Sequence, residues 1–263
     1  MILDELAAYA KERVALAKSA VPLEQIRDKA CALPKGDFRF EKALRKSQMG
    51  FICEVKKASP SKGIISEEFP YVEIAKSYEA AGATCISCLT EPKWFLGSDE
   101  IFREIRENVT IPMLRKDFTV DAYQIYEAKV MGADAVLLIC ALLDTKTLRA
   151  YLDICNKLGI SALVETHDER EIDSAVAAGA KLIGVNNRNL KDFTVDFSNA
   201  VNLRKRIPED ALYVAESGVA NREQVKALAR IGADAVLMGE ALMKAENRMH
   251  FLTELQEAAS ESN

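Results

Sequence analysis

What this chain lacks narrows its chemistry first. It has two histidines, His167 and His250, in 263 residues. Its six cysteines, at 31, 53, 85, 88, 140 and 155, form no metal-ligand pattern. Cys85-x-x-Cys88 is the one tempting pair, but both lie in the strand-like run 84–89, where positions i and i+3 face opposite ways. A zinc site and a Ser-His-Asp hydrolase therefore lack their parts, both histidines read as surface residues, and the thiols read as reduced packing groups. No apolar run approaches the ~18 residues of a membrane span. The opening Met1-Ile-Leu-Asp-Glu-Leu puts acids where a secretory signal needs positive charge, so the expected compartment is the cytoplasm. Surplus positive charge is missing too: 35 Lys and Arg face 40 Asp and Glu, a net charge of −5. Lys56-Lys57 is too short a basic run to hold nucleic acid, and neither nucleic acid nor membrane is an expected partner.

What is present is a repeat written in glycines. Ala81-Gly-Ala-Thr-Cys-Ile-Ser-Cys-Leu, Met131-Gly-Ala-Asp-Ala-Val-Leu-Leu-Ile, Ala178-Gly-Ala-Lys-Leu-Ile-Gly-Val-Asn and Ile231-Gly-Ala-Asp-Ala-Val-Leu-Met-Gly share one grammar. An amphipathic stretch ends at a glycine, as at a helix C′ position that needs positive φ, and a short apolar strand follows. The glycines at 82, 132, 179 and 232 are 50, 47 and 53 residues apart. Between them lie four more strand candidates, at 51–56, 111–115, 161–165 and 212–216, and helical patterns at 71–81, 122–131, 145–158, 169–178 and 222–231. Eight strand–helix units at this beat predict an α/β fold, a (β/α)8 TIM barrel. A doubly wound open sheet is the rival, but no G-x-G-x-x-G follows the first strand. Before it, Ile2, Leu3, Leu6, Ala10 and Val14 make an apolar stripe at helical spacing, and Pro22 opens a second helix running to Ala32. The expected organisation is one domain over 1–263, with an N-terminal helical extension at 1–45 and the barrel at 46–258.

Strand alternation then sorts the charged residues. Strand one turns Ile52, Glu54 and Lys56 to one face, with Cys53 on the other. Strand three gives Leu114 and then Lys116, strand five Leu163 and Glu165, strand six Gly184 and Asn186 with Arg188 beyond, strand seven Val214 and Glu216. Each begins apolar or small and ends charged or amide. Inside a barrel this stacks dry layers beneath a polar ring at the C-terminal face, where barrel enzymes keep their chemistry. An ionised group costs several kcal/mol in an apolar layer unless paired. The alternative to an active site is a structural ion-pair network at the mouth. Strands seven and eight add Glu216-Ser-Gly218 and Gly239-Glu240, glycines placed to let backbone N–H groups and a short helix N-terminus meet an anion such as phosphate. Glu240 would contribute its backbone N–H, since its carboxylate would repel the ligand.

These residues resemble a known family. Cys53-Glu-Val-Lys-Lys-Ala-Ser-Pro-Ser-Lys-Gly63, Leu89-Thr-Glu-Pro-Lys-Trp-Phe-Leu-Gly-Ser98, Leu114-Arg-Lys-Asp-Phe118, Leu163-Val-Glu165, Asn186-Asn-Arg-Asn-Leu190 and Ala215-Glu-Ser-Gly218 are similar, in order and spacing, to indole-3-glycerol-phosphate synthases. The resemblance implies a lyase of tryptophan biosynthesis whose substrate is 1-(2-carboxyphenylamino)-1-deoxyribulose 5-phosphate, a phosphorylated anilino-sugar. It implies ring closure, decarboxylation and dehydration without a cofactor or metal. Lys116 would be the general acid of ring closure and Glu165 the general base. Lys56 would hold the substrate carboxylate and act as second acid. Glu54 and Glu216 would set the protonation of the lysines, with Lys116 tuned toward neutral pH by burial and cationic neighbours. Asn186 and Ser217 would hydrogen-bond the substrate, Arg188 would sit near its carboxylate, and Phe95, Phe118 and Leu190 would line the aromatic pocket. Ser59, Gly218, Gly239 and Glu240 would serve the phosphate. A monomer is expected, with other enzymes of the pathway as further partners. The sequence departs from some relatives at Glu240, where they carry a small polar residue, and at Trp94, where they carry Tyr.

Two other readings remain open at this point. A second phosphosugar barrel enzyme, phosphoribosylanthranilate isomerase, needs a thiol and a carboxylate at the site, and here Cys53 faces away. A non-catalytic barrel scaffold would tolerate loss of a charged strand end, and none is missing.

Overall fold

A computed structural model of the chain describes residues 2–189 and 193–261. Eight parallel strands close into a barrel: β1 (Gly50–Val55), β2 (Cys85–Leu89), β3 (Met113–Lys116), β4 (Ala135–Ile139), β5 (Ser161–Thr166), β6 (Leu182–Asn186), β7 (Leu212–Glu216) and β8 (Ala235–Met238). Each strand pairs with its sequence neighbours, and β8 returns to β1 with Leu237 opposite Ile52. The open-sheet rival is thereby excluded. Strand three starts two residues later than the apolar pattern suggests, because Pro112 has no N–H to give a ladder.

After three helices in the N-terminal extension, helices wrap the strands: α4 (Tyr71–Ala80), α5 (Asp99–Asn108), α6 (Ala122–Val130), α7 (Thr145–Leu158), α8 (Glu169–Ala178), α9 (Ser198–Leu203), α10 (Arg222–Arg230), α11 (Glu240–Lys244) and α12 (Arg248–Ser260). Their starts are written locally. Ser98, Asp121, Asp144, Asp168, Asn221 and Asn247 each accept a backbone N–H of the first turn, a cap worth about 1 kcal/mol. The four repeat glycines end their helical stretches with φ between 71° and 95°, as the repeat requires.

Alternation divides the apolar side chains into two cores. Ile52, Cys85, Leu114, Leu137, Leu163, Val214 and Leu237 fill the barrel interior. Cys53, Ile86, Cys88, Val136, Val164 and Val236 pack outward against the helices. Cys85 and Cys88 thus lie in different cores. Burial of each such aliphatic side chain is worth about 1.5–3 kcal/mol.

The extension holds one helix more than the sequence reading finds. α1 (Ile2–Ala20) lays Leu6 and Ala10 against the interior core, and α2 (Leu23–Ala32) follows Pro22. α3 (Arg39–Lys46) puts fully buried Phe40 and Leu44 into the same core, packing against β1, β2, β5 and β7. Eight residues entered through Phe38 at φ +59°, with no capping side chain, give the sequence little to announce α3. Its packing makes it; Phe40→Ala would cost about 3–5 kcal/mol.

On the outer side, Arg115 is 4% exposed between Asp99 at 2.9 Å and Glu127 at 2.8 Å. Asp117, also buried, takes both guanidinium ends of Arg13 on α1, at 2.6 and 3.0 Å, and the Thr90 hydroxyl at 2.7 Å. A buried charge needs such partners. This bidentate pair fastens α1 to the strand that carries Lys116.

Candidate active site

The C-terminal ends of the strands converge on one cleft. Glu54, Lys56, Lys116, Glu165, Asn186, Glu216 and Ser217 all line it, with Ser59, Phe95, Phe118, Arg188 and Glu240 at its walls. Gly218 and Gly239 line the adjoining cavity, which shares Lys56, Arg188 and Glu240 with the cleft. Leu190 lies outside the described residues. The cleft's lining combines apolar side chains with a few convergent polar ones, as small-molecule sites do.

Lys116 stands at the centre. Its Nζ is 3.2 Å from Glu165 Oε2 and 3.8 Å from Glu216 Oε2. Across the barrel, Lys56 Nζ is 2.7 Å from Glu54 Oε1, and the Ser87 hydroxyl donates to Glu54 Oε2 at 3.3 Å. Alternate strands thus deliver two acid–ammonium pairs to one rim.

The protonation states follow from these neighbours. Burial disfavours the Lys116 ammonium, but Glu165, Glu216 and Glu54 outweigh it and raise its pKa above the ordinary lysine value. This corrects the expectation of a lysine tuned toward neutrality: its neighbours are carboxylates, not cations. Burial also works against ionised Glu54 and Glu165, yet Lys56 and Lys116 hold both below the usual carboxylate range. Glu216 goes the other way. Burial, reinforced by the charge of Glu165, pushes its pKa well above that range. Its Oε1 has no hydrogen-bond partner and occupies the space a Cβ on Gly184 would fill, 2.0 Å from that position.

The two glycine turns expected to meet an anion line one cavity. Ser217 and Gly218 turn the chain through left-handed φ values of 64° and 75°, and the Asn187 amide donates to the Ser217 carbonyl at 2.9 Å. A Cβ at Gly218 would meet Val195 Cγ1 at 2.5 Å. Gly239 precedes α11, and a Cβ there would strike Glu54 Oε1 at 2.8 Å. The Glu240 carboxylate is held by Lys244 at 2.7 Å, with Arg188 at 3.9 Å and Lys62 at 4.0 Å. Its charge is therefore matched by cations. Arg188 Nη1 also reaches the Ser61 hydroxyl and the Phe193 carbonyl, both at 3.3 Å, linking the loop after β1 to the loop after β6.

Several residues in or beside the cleft escape the sequence reading. Leu3 and Leu6 of α1 roof the cleft as well as covering the barrel. Ser87 follows the same alternation on β2 that singles out Glu54 on β1, its register partner. His167 corrects a surface assignment: its side chain is 16% exposed, and its Nε2 lies 3.5 Å from Glu165 Oε1. The signal was present, since 163, 165 and 167 continue one strand face. His250 is exposed, as read. Among the described residues no helix is long and apolar enough to cross a membrane.

Comparison with known proteins gives the family. The family model "Indole-3-glycerol phosphate synthase" matches residues 3–255. The indole-3-glycerol phosphate synthase of Ruminiclostridium cellulolyticum is 54% identical, covering 98% of this chain and 100% of that protein. That of Endomicrobium trichonymphae is 50% identical with the same coverage. Among solved structures, 3-hexulose-6-phosphate synthase from Salmonella typhimurium superposes with a TM-score of 0.67 at 14% identity, covering 82% of this chain and all of its own. Thiamine phosphate pyrophosphorylase from Pyrococcus furiosus gives 0.63 at 16% identity, covering 83% and 98%. Those two likenesses concern the fold alone. The chain belongs to the indole-3-glycerol phosphate synthase family, a family of carboxy-lyases.

Proposed function

We propose that this protein converts 1-(2-carboxyphenylamino)-1-deoxyribulose 5-phosphate to indole-3-glycerol phosphate, carbon dioxide and water. The observation that supports it most is the placement of Lys116 and Glu165 3.2 Å apart, opposite the Lys56–Glu54 pair, in a cleft with an anion-binding end. In ring closure the carboxylated aromatic carbon attacks the sugar ketone, and Lys116 gives its proton to the ketone oxygen. Lys116 is fully protonated beforehand, which secures the donor; a positioned acid or base contributes ~10²–10⁴-fold. Loss of carbon dioxide then returns the bonding electrons to the ring and restores aromaticity, so no electron-sink cofactor is needed. In the last step Lys56 protonates the leaving hydroxyl, water departs, and Glu165 takes the proton that completes the indole.

The remaining roles follow from position. Glu54 orients Lys56, and Glu216, 3.8 Å from Lys116, helps to position that lysine. Asn186 and Ser217 hydrogen-bond the substrate, and Arg188 faces its carboxylate. Phe95 and Phe118, with ring centroids 6.1 Å apart and planes tilted by 42°, form one apolar wall against which the aromatic ring packs. Ser59 and the backbone at Gly218, Gly239 and Glu240 take the phosphate. This reading treats 1–263 as one domain acting in the cytoplasm. The test is to supply the anilino-ribulose phosphate to purified protein and follow indole fluorescence and carbon dioxide release. One carbon dioxide per indole, with or without a chelator, is the expected result; no indole would refute the reading.

A further inference from the structure

Beside the reaction cleft lies a second, polar chamber, which shares Asn186 with it and is walled by His167, Asp168, Glu171 and Asn199. The mechanism above uses none of the last four. His167 stands between the two spaces. One oxygen of Glu171 accepts both the His167 backbone N–H at 2.8 Å and the ring Nδ1 at 3.0 Å. A carboxylate can only accept, so Nδ1 carries a proton. Nε2 then faces Glu165 Oε1 across 3.5 Å and is buried with no hydrogen-bond partner. Asn199 ties the His167 carbonyl at 3.2 Å, and Asp168 caps α8 through the Glu171 N–H at 2.9 Å, so the ring is held on both sides.

We propose that His167 and Glu171 form a proton exit for Glu165, passing to the polar chamber the proton that Glu165 takes from the reacting molecule. The inference rests on the reading of Glu165 as the base. The titratable and charged groups around His167 are Glu165 on β5, Asp168 capping α8 and Glu171 on it, Lys116 on β3, Cys140 just after β4, and Asp4, Arg188 and Asp196 along the chamber. Burial opposes the imidazolium, but Glu171 and Glu165 together outweigh it and keep His167 above the ordinary histidine value. With its proton on Nδ1, the neutral ring turns the bare Nε2 toward Glu165. When Glu165 takes a proton from the reacting molecule, a small ring rotation closes the gap and the proton passes to Nε2, which restores the carboxylate and makes an imidazolium. The imidazolium gives its Nδ1 proton through Glu171 to the chamber. A flip of the neutral ring then presents a bare nitrogen to Glu165 and an N–H to Glu171 again. One proton enters at Glu165 and one leaves at Glu171 per turnover, and no oxidant or co-reactant is involved.

Two measurements on the full chain test this. The first needs no turnover: with only two histidines in the sequence, proton NMR shows two imidazole signals, and His250, 70% exposed, supplies the other. The His167 midpoint should fall by about one pH unit in Glu165→Gln and again in Glu171→Gln. A midpoint that ignores Glu165→Gln overturns the coupling. The second is kinetic. His167→Ala should lower kcat by about 10–100-fold with KM within about twofold, and added imidazole should restore it in proportion to its free base. His167→Gln, which fills the space but cannot take up and pass on a proton, should lose the same turnover without rescue. Wild-type kcat in His167→Ala, or a loss that imidazole leaves untouched, overturns the relay. If the wild-type protein makes no indole, the functional reading fails, and the NMR arm still decides the coupling.

Discussion

Lys116 Nζ and Glu165 Oε2 stand 3.2 Å apart although 49 positions separate them in the chain. β3 and β5 supply them, and between these strands β4 contributes only apolar Leu137 and Ile139 to the cleft. Alternate strands thus meet over a dry layer that holds the charges at the rim. Each of these two groups stabilises the charge of the other, while burial and the charge of Glu165 push the Glu216 carboxyl toward its protonated form. Removing any one charge would leave its partner buried and uncompensated.

Glu216 gives the protein an alkaline liability. Its folded pKa is raised, so the folded chain keeps a proton that the unfolded chain releases above pH ~4.3. Stability from this group is therefore full in acid and is lost as pH rises toward the raised value. Each pH unit over which the folded state holds that extra proton costs about 1.4 kcal/mol. Glu54 and Glu165 run oppositely, their contribution being lost as pH falls. Urea unfolding at pH 6 and pH 9 should show a smaller decline for Glu216→Gln than for wild type. Equal declines would mean that Glu216 is ionised.

Gly184 makes room for that acid. A methyl group there would lie 2.0 Å from Glu216 Oε1 and 3.2 Å from Leu163 Cδ1. Gly184→Ala should cost about 1–3 kcal/mol by overpacking. A displaced Glu216 should also lower kcat, by up to ~100-fold for a shift near 1 Å. Wild-type kcat with wild-type stability would show that the carboxyl has other room.

Arg13 should act on binding rather than chemistry. Arg13→Met keeps the length of the side chain but takes two hydrogen bonds from buried Asp117, at a cost of about 3 kcal/mol. With α1 loosened, Leu3 and Leu6 no longer roof the cleft firmly, so KM should rise several-fold with a smaller change in kcat. Steady-state kinetics separates the two. A fall in kcat alone would place Arg13 in the chemistry.

The legible parts of this protein are those governed by short periods. Strand alternation gives Glu54, Lys56, Lys116, Glu165 and Glu216 a common rim before any coordinates, and the glycine beat at 82, 132, 179 and 232 gives the closed barrel. Carried one step further, the same alternation also reaches Ser87 and His167. What no period reports is the sum of neighbours. Whether Lys116 sits among cations or carboxylates depends on strands 50 to 100 residues away, and that reversed its expected shift. α3 is hidden for the same reason, since Phe40 and Leu44 are stabilised by the barrel floor more than by their own turn.

The most direct test of the central claim compares Lys116→Ala with wild type on the anilino-ribulose phosphate, together with calorimetric binding of a reduced analogue that cannot cyclise. A rim that performs acid catalysis through Lys116 predicts a loss of kcat of ~10²–10⁴-fold, with the fold intact and analogue affinity within about tenfold. Turnover near the wild-type rate in Lys116→Ala would contradict it.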